Sequence, residues 1–402
     1  MFIGENLTNL RILHGYSRKQ LSDMLGVTEQ AVWQYENNYT SPKVKIVNDL
    51  KSIFDVKSKY FYNKDVLNRY FKKENIPVMN IAYRSKVINV ISKTQTEAKH
   101  VAFLDSFVNY LTVKVTHPTQ KIIRLRNRVI EYLNTSNEDR KTQVREVAKL
   151  ARKELELRND TNDNLMFLVE KSGVFIFEKA IGEDIDAYSL WTKEERPFII
   201  LGNLKRSAAR RNFDIAHELG HLLLHYRVEF TSLDKKEYKA IENEANQFAS
   251  AFLLPEESLL ADLQSFSHLT NPDAYIDLKM KWKTSLQVLA YRAADLGILD
   301  AKSHRNFYAA LHRRGYLKRE PLDETIPIQK PQKIKSIIDL VVKRELIDLR
   351  QMLEQDWMVN IEFIHQITGI GLDFFNRYMT SEQDFGLANV TYLSSDILNR
   401  KV

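Results

Sequence analysis

No cysteine occurs among the 402 residues, which excludes disulfide staples, thiolate metal ligands and cysteine nucleophiles. Glycine (12) and proline (9) are scarce, so few flexible linkers are available and helices are expected to join the domains. Long apolar runs are missing as well. The strongest, PFIIL and AFLLP, fall far short of the roughly 20 residues that a membrane span requires. With no recognisable signal peptide, the expected location is cytoplasmic, away from membranes. Neither internal repeats nor low-complexity tracts interrupt the chain. What is present is 44% hydrophobic residues in a length that suits two or three domains, each able to bury a core.

The formal charge of +7 is unevenly spread. Residues 1–65 carry 9 basic and 7 acidic side chains, residues 66–158 carry 19 and 9, and residues 159–402 carry 31 and 36. The middle segment is therefore the basic one. Its stretch KIIRLRNRVIEYL brings Lys121, Arg124, Arg126 and Arg128 close together, which can extend a nucleic-acid footprint by neutralising phosphates. A solvated helical face accounts for the same charges.

Chemistry concentrates in DIAHELGHLLLH, residues 214–225. Residues four apart share a helix face, so His217 and His221 can converge on one ion with Glu218 beside it. This is the H-E-x-x-H arrangement of two imidazole zinc ligands and a carboxylate base. An amphipathic helix that tolerates two histidines is the plainer alternative. A third ligand cannot be a thiolate, so EYKAIENEANQFASAFLLP downstream is the place to look; it reads as a helix from about Glu237 to Leu254, stopped by Pro255. There Glu244 has Ala240, Ile241, Phe248, Ala251 and Phe252 at helical spacing and is expected to point into the buried stripe. Glu242, facing Tyr238, Lys239 and Asn246, reads as a solvated charge. A buried carboxylate costs several kcal/mol unless paired or metal-bound, which favours Glu244 as the ligand.

HELGHLLLH, ENEANQFASAFLLP and the upstream RPFIILGN together resemble the ImmA/IrrE family of metallopeptidase-like proteins. The resemblance implies metal ligands at His217, His221 and Glu244, a catalytic glutamate at Glu218, and Zn²⁺ as cofactor, with Mn²⁺ also compatible with imidazole and carboxylate donors. It extends to about Pro321. Members often carry threonine where this chain has Asp214, which either hydrogen-bonds the free ring nitrogen of His217 or is an exposed acid. His225, four beyond His221, either stabilises an oxyanion or is a packed or surface residue.

A second signature lies in NLTNLRILHGYSRKQLSDMLGVTEQAVWQYENN. Leu7, Leu10 and Leu13 mark a first helix. Ser17 caps a second, Gly26 permits the turn after it, and Thr28 caps a third that runs to about Asn37. The stretch resembles the Xre-type helix-turn-helix, which implies that the third helix enters the major groove of an operator. On it, Glu29, Gln30, Trp33 and Gln34 are the candidates for base contacts, while Arg18, Lys19, Gln20 and Lys43 are candidates for phosphate contacts. Specific binding implies a homodimer on two half-sites. A protein-interaction domain of the same fold is the alternative.

The expected fold class is multidomain and mostly α. A helix-turn-helix domain spans 1–65, a basic helical connector 66–158, an α+β zincin-like metallopeptidase domain 159–321, and a helical region 322–402 that serves dimerisation or sensing. Within the third, VFIFEKA, IDAYSLW and PFIIL read as strands, with PFIILGN the candidate edge for pairing with a substrate peptide and an interior strand the alternative that its pattern equally allows. The implied function is a DNA-binding regulator whose zinc endopeptidase cleaves a protein, by family resemblance a transcriptional repressor in a phage or mobile-element switch. The alternative is a regulator whose metallopeptidase-like domain is a non-catalytic sensor or interaction module. Retention of Glu218 favours the enzyme. For the DNA reading, Gln30→Ala is expected to relax base preference at one position per half-site at a cost of about 1 to 3 kcal/mol, whereas Lys43→Ala weakens all sequences alike. Binding titrations against single-base operator variants at several salt concentrations check both.

Overall fold

The structure, a computed structural model, describes residues 1–65, 82–83, 91–115, 120–179, 187–202, 207–264 and 266–379. Helices α1 (Gly4–Leu13), α2 (Arg18–Leu25), α3 (Glu29–Glu36) and α4 (Val44–Phe54) form the N-terminal bundle, closed by a 3-10 turn at Ser58–Tyr62. Ser17 caps α2 in a reciprocal box with Gln20, and Thr28 accepts from the Ala31 N–H at 3.1 Å to cap α3. Gly26 between them takes the left-handed φ of 64° that so tight a turn needs. Glu36 ends α3 as a buried carboxylate held by Arg11 and Arg18, each at 2.5 Å.

Next come the two-residue strand β1 (Ala82–Tyr83) and helices α5 (Ile91–Thr112), α6 (Lys121–Thr135), α7 (Arg140–Glu154) and α8 (Leu165–Ser172). The three expected strands form as β2 (Phe175–Lys179), β3 (Ala187–Trp191) and β4 (Pro197–Gly202). The sheet order is β1-β3-β4-β2, with β2 parallel to β4 and the other pairs antiparallel. Helices α9 (Ala208–Leu224), α10 (Lys235–Leu253), α11 (Glu256–Leu263), α12 (Ile276–Trp282), α13 (Leu286–Asp295) and α14 (Ala301–Arg313) follow. The C-terminal elements are α15 (Lys333–Lys343), α16 (Leu349–Gln351) running into a π-helical turn at Met352–Asp356, α17 (Ile361–Thr368) and α18 (Leu372–Met379).

Alternation along the strands divides the molecule into two cores. Phe175, Phe177, Tyr188, Leu190, Phe198 and Ile200 face a core shared by the N-terminal bundle, α5 and the C-terminal helices. Ile176, Ala187, Trp191, Ile199 and Leu201 face a second core with α6 to α14. β4 is an interior strand, paired with β3 on one side and β2 on the other, so of the edge and interior readings of PFIILGN the structure has the interior one.

Among the described residues of 66–158, α5 belongs to the first core, while Ile122, Leu125 and Val129 of α6 and Val144, Val147 and Ala148 of α7 belong to the second. The basic cluster on α6 is largely matched within the chain. Lys121 pairs with Glu156 and Arg128 with Glu154, while Arg126 is buried against Glu195 at 2.8 Å and lies 4.5 Å over the Trp191 ring; Arg124 is exposed and forms no ion pair among the described residues. Pro118 lies outside the described residues. The described part of the C-terminal region, for its part, packs against the N-terminal bundle. Lys57 N–H donates to Met358 O at 2.8 Å, Asn360 N–H donates to Asp55 O at 2.7 Å, and Val56 and Val359 form an antiparallel bridge.

Trp357 is fully buried and meets Phe103, Phe107 and Tyr110 of α5 edge-on, with ring centroids 4.9 to 5.8 Å apart. Trp357→Ala is expected to cost about 3 to 5 kcal/mol. Urea denaturation reads the loss, and hydrogen exchange is expected to rise in α1 and α5 together because they share that core.

Candidate metal centre and DNA-facing helix

Almost every residue of α9 is buried, including Asp214, His217, Glu218 and His221. An apolar helix carrying four such groups must find each a partner. The crossing with α10 supplies most of them. Gly220 makes that crossing close: a side chain there would sit 2.9 Å from the Phe248 ring. Ala245 and Ala249, both fully buried, form the small-residue side of the contact.

His217 Nε2 and His221 Nε2 lie 3.0 Å apart, near the roughly 3.3 Å expected of two imidazole nitrogens on one tetrahedral zinc. The carboxylate beside them is Glu242, with Oε1 at 3.3 Å from His221 Nε2 and Oε2 at 3.6 Å from His217 Nε2. These three residues offer ligand atoms within 4.8 Å of one another. Glu242 Oε1 is buried and has no hydrogen-bond partner among the described residues. Two converging ring nitrogens and an orphaned carboxylate oxygen are what a divalent cation completes, so the donor set fits zinc or manganese.

Glu244 is elsewhere, and the expectation that it faces this point is corrected. Its Oε2 accepts from His225 Nε2 at 3.0 Å and from Arg140 at 2.7 Å. Burial raises its pKa, but His225 and Arg140 outweigh that and hold the carboxyl down to about 2. The misreading has a physical source. Phe248 and Phe252 gave Glu244 a strong apolar signature, whereas Glu242 shares its face with Ala245 and Ala249, small residues whose role is close approach and whose hydrophobic signal is weak.

Hydrogen bonding also sets the tautomers of the two rings. His217 Nδ1 lies 3.0 Å from Asn246 Oδ1, an acceptor, so Nδ1 carries the proton and Nε2 keeps its lone pair. His221 Nδ1 lies 3.0 Å from His225 Nδ1. With His225 donating through Nε2 to Glu244, its Nδ1 must accept, and His221 therefore presents Nε2 as a lone pair too. His225 is buried and its pKa falls to about 4, chiefly through that burial and against the pull of Glu244, so the ring is neutral. It is a packed residue holding His221. Asp214 is buried rather than exposed, and the place beside His217 Nδ1 expected for it is taken by Asn246.

Glu218 is 1% exposed and points at β3, where Ser189 Oγ donates to its Oε2 at 2.7 Å. Burial pushes its pKa up to about 7, opposed by His221 and by the Ser189 hydrogen bond. Alongside, the backbone of β3 is paired by β1, Ala82 opposite Ser189 and Tyr83 opposite Tyr188. Asn246, Ser189 and Arg140 escaped the sequence reading because each acts through a partner distant in the chain.

On the N-terminal bundle, Glu29, Gln30 and Trp33 of α3 are exposed and Gln34 is half-buried. Trp33 stacks on Tyr39, centroids 5.1 Å apart, and Tyr39 is 70% exposed, an aromatic the motif reading passed over. Lys43 is exposed. Three of the expected phosphate contacts have intrachain partners: Arg18 with Glu36, Lys19 with Asp23 at 2.7 Å, and Gln20 with the Ser17 N–H at 2.8 Å.

Comparison with known families agrees with both signatures. A peptidase-family model described as the IrrE N-terminal-like domain matches residues 169–294, from α8 to α13, and a model described as helix-turn-helix matches residues 7–61. No curated protein matches the chain. Among the described residues, no helix is long and apolar enough to cross a membrane.

Glu242→Ala is expected to abolish stoichiometric metal by elemental analysis, as is His217→Ala. Glu244→Ala is expected to retain the metal with affinity lowered about 10- to 100-fold in chelator competition, because it removes only the support of His225. Full loading of Glu242→Ala alongside an empty Glu244→Ala would reverse the two roles.

Proposed function

We propose that this chain, which joins a helix-turn-helix DNA-binding domain to an ImmA/IrrE peptidase-family domain, is a DNA-bound regulator that hydrolyses a peptide bond in a protein substrate, a transcriptional repressor. The observation that carries the reading is the convergence of His217, His221 and the unpartnered Glu242 oxygen next to Glu218. His217 Nε2, His221 Nε2 and Glu242 would hold Zn²⁺, with Mn²⁺ as the other candidate. The bound ion supplies Lewis acidity toward the scissile carbonyl and toward water.

The chain's own groups do the rest. Asn246 and His225 aim the two ring nitrogens, and Ser189 fixes the Glu218 carboxylate through Oε2. Glu218 takes a proton from the attacking water and returns it to the leaving amine. Its burial excludes competing solvent from that carboxylate. An extended substrate would pair with the edge of β3 and would compete there with Ala82–Tyr83. DNA recognition would use Glu29, Gln30, Trp33 and Gln34, with two copies on adjacent half-sites.

The second reading, a non-catalytic sensor or interaction module, draws on the same edge. Glu218 is nearly inaccessible and the strand beside it is already paired by the chain itself. Glu218→Gln separates the two because the amide keeps the shape and cannot take the proton. On the peptidase reading the variant binds operator and metal normally, while repressor cleavage on gels slows by roughly 10² to 10⁴-fold and the promoter stays repressed in cells. Normal regulation by Glu218→Gln would overturn proteolysis and leave a binding module.

A further inference from the structure

A cavity of about 430 Å³ opens at the seam between the two cores and shares no lining residue with the histidine cluster. Its apolar walls are Val115 at the end of α5, Phe167 of α8, Phe175 of β2, and Ile337 and Leu340 of α15. Phe167, 58% exposed, stands among them as a large apolar side chain open to solvent. The volume is that of a small-molecule site.

The polar side of the cavity is not balanced. Glu170 is the acid in the lining, and its oxygens are used by the backbone N–H groups of Gln332 and Lys333 at 3.0 to 3.2 Å. Arg196 is matched by Asp105 at 2.6 Å, Glu194 at 3.0 Å and Asn109 at 2.7 Å, and Lys171 by Glu156 at 3.4 Å. Lys333 differs. Its Nζ donates to Val174 O at 3.2 Å and lies 3.9 Å from the Phe175 ring centroid, and no carboxylate forms an ion pair with it among the described residues. Gln120 Oε1, also in the lining, is buried with no hydrogen-bond partner among the described residues.

We infer that this cavity binds a small amphipathic anion, a carboxylate or sulfonate on a flat apolar body, with its head group on Lys333 and its body between Phe167, Phe175 and Leu340. An ammonium drawn out of water costs free energy until an anion or several dipoles replace its hydration. Here one carbonyl and one ring face do so in part. Burial accordingly lowers the Lys333 pKa to about 7, against the pull of Glu170. An anionic head group restores the charge, and a single polar end on an apolar wall selects a ligand with the same asymmetry. Position gives the site a regulatory meaning. α15 belongs to the core of the DNA-binding bundle, whereas α8 belongs to the core of the metal helix, so one ligand touches both. The inference does not depend on peptide hydrolysis.

The test uses two fluorescent probes with closely related aromatic bodies, anionic 8-anilinonaphthalene-1-sulfonate and neutral N-phenyl-1-naphthylamine, on the full chain. Wild type is expected to bind the sulfonate at one site. Lys333→Met is expected to raise its Kd at least tenfold while leaving the neutral probe unchanged, and Lys333→Arg to restore sulfonate binding. Ile337→Trp, which fills the cavity, is expected to exclude both probes, with thermal melts verifying that each variant is folded. Sulfonate binding that survives Lys333→Met at wild-type affinity, or that persists in Ile337→Trp, would overturn the inference.

Discussion

The structure depends on a sheet that is apolar on both faces. Phe175 and Phe177 point one way and Ile176 the other; Phe198 and Ile200 oppose Ile199 and Leu201. Two strands with no polar face can exist in water only when a layer covers each side. One cover is the helical body that carries the histidine-bearing helix α9. The other is built from the chain's two ends, the N-terminal bundle and the C-terminal helices, with α5 between them. The DNA-binding helices share the core on this side of the sheet and reach it through α5 and the C-terminal helices, of which α15 and α17 contact β2, and the scarcity of glycine and proline fits an arrangement with little use for a flexible tether.

Satisfying buried polar groups shapes the histidine cluster in turn. α9 is buried along nearly its whole length, so each polar group on it is costly unless paired. Asn246 answers His217, the His225–Glu244–Arg140 chain answers His221, and Ser189 answers Glu218. The groups left facing one another are two lone pairs and a carboxylate. A structural helix would gain nothing from that residue, since a methyl-bearing side chain would fill the space at lower cost.

What could be read in the chain beforehand follows from the range of the forces involved. Caps at Ser17 and Thr28, the turn at Gly26 and the i, i+4 histidines are local, and the structure has each where the sequence implies it. β-branched and aromatic content locates the strands but not their order, because a strand covered on both faces reads alike at an edge or in the interior, as PFIILGN does. The choice between Glu242 and Glu244 turned on the angle at which α10 crosses α9, and that angle is set by Gly220, Ala245 and Ala249, residues that signal by being small. The C-terminal helices were unreadable because their apolar faces are complementary to α1, α4 and α5, which are more than two hundred residues away in the chain.

The same packing limits how the two ends of the molecule can communicate. Separating the DNA-binding layer from the sheet would expose six large side chains, Phe175, Phe177, Tyr188, Leu190, Phe198 and Ile200. At roughly 1.5 to 3 kcal/mol for each, the cost is on the order of 10 kcal/mol. Coupling free energies between sites are typically about 1 to 3 kcal/mol. A ligand or a cleavage event therefore lacks the energy to release the DNA-binding layer as a body. Any influence of one site on the other has to travel as a small shift within intact layers, and it is cheapest where packing is incomplete, at the cavity between α8, β2 and α15.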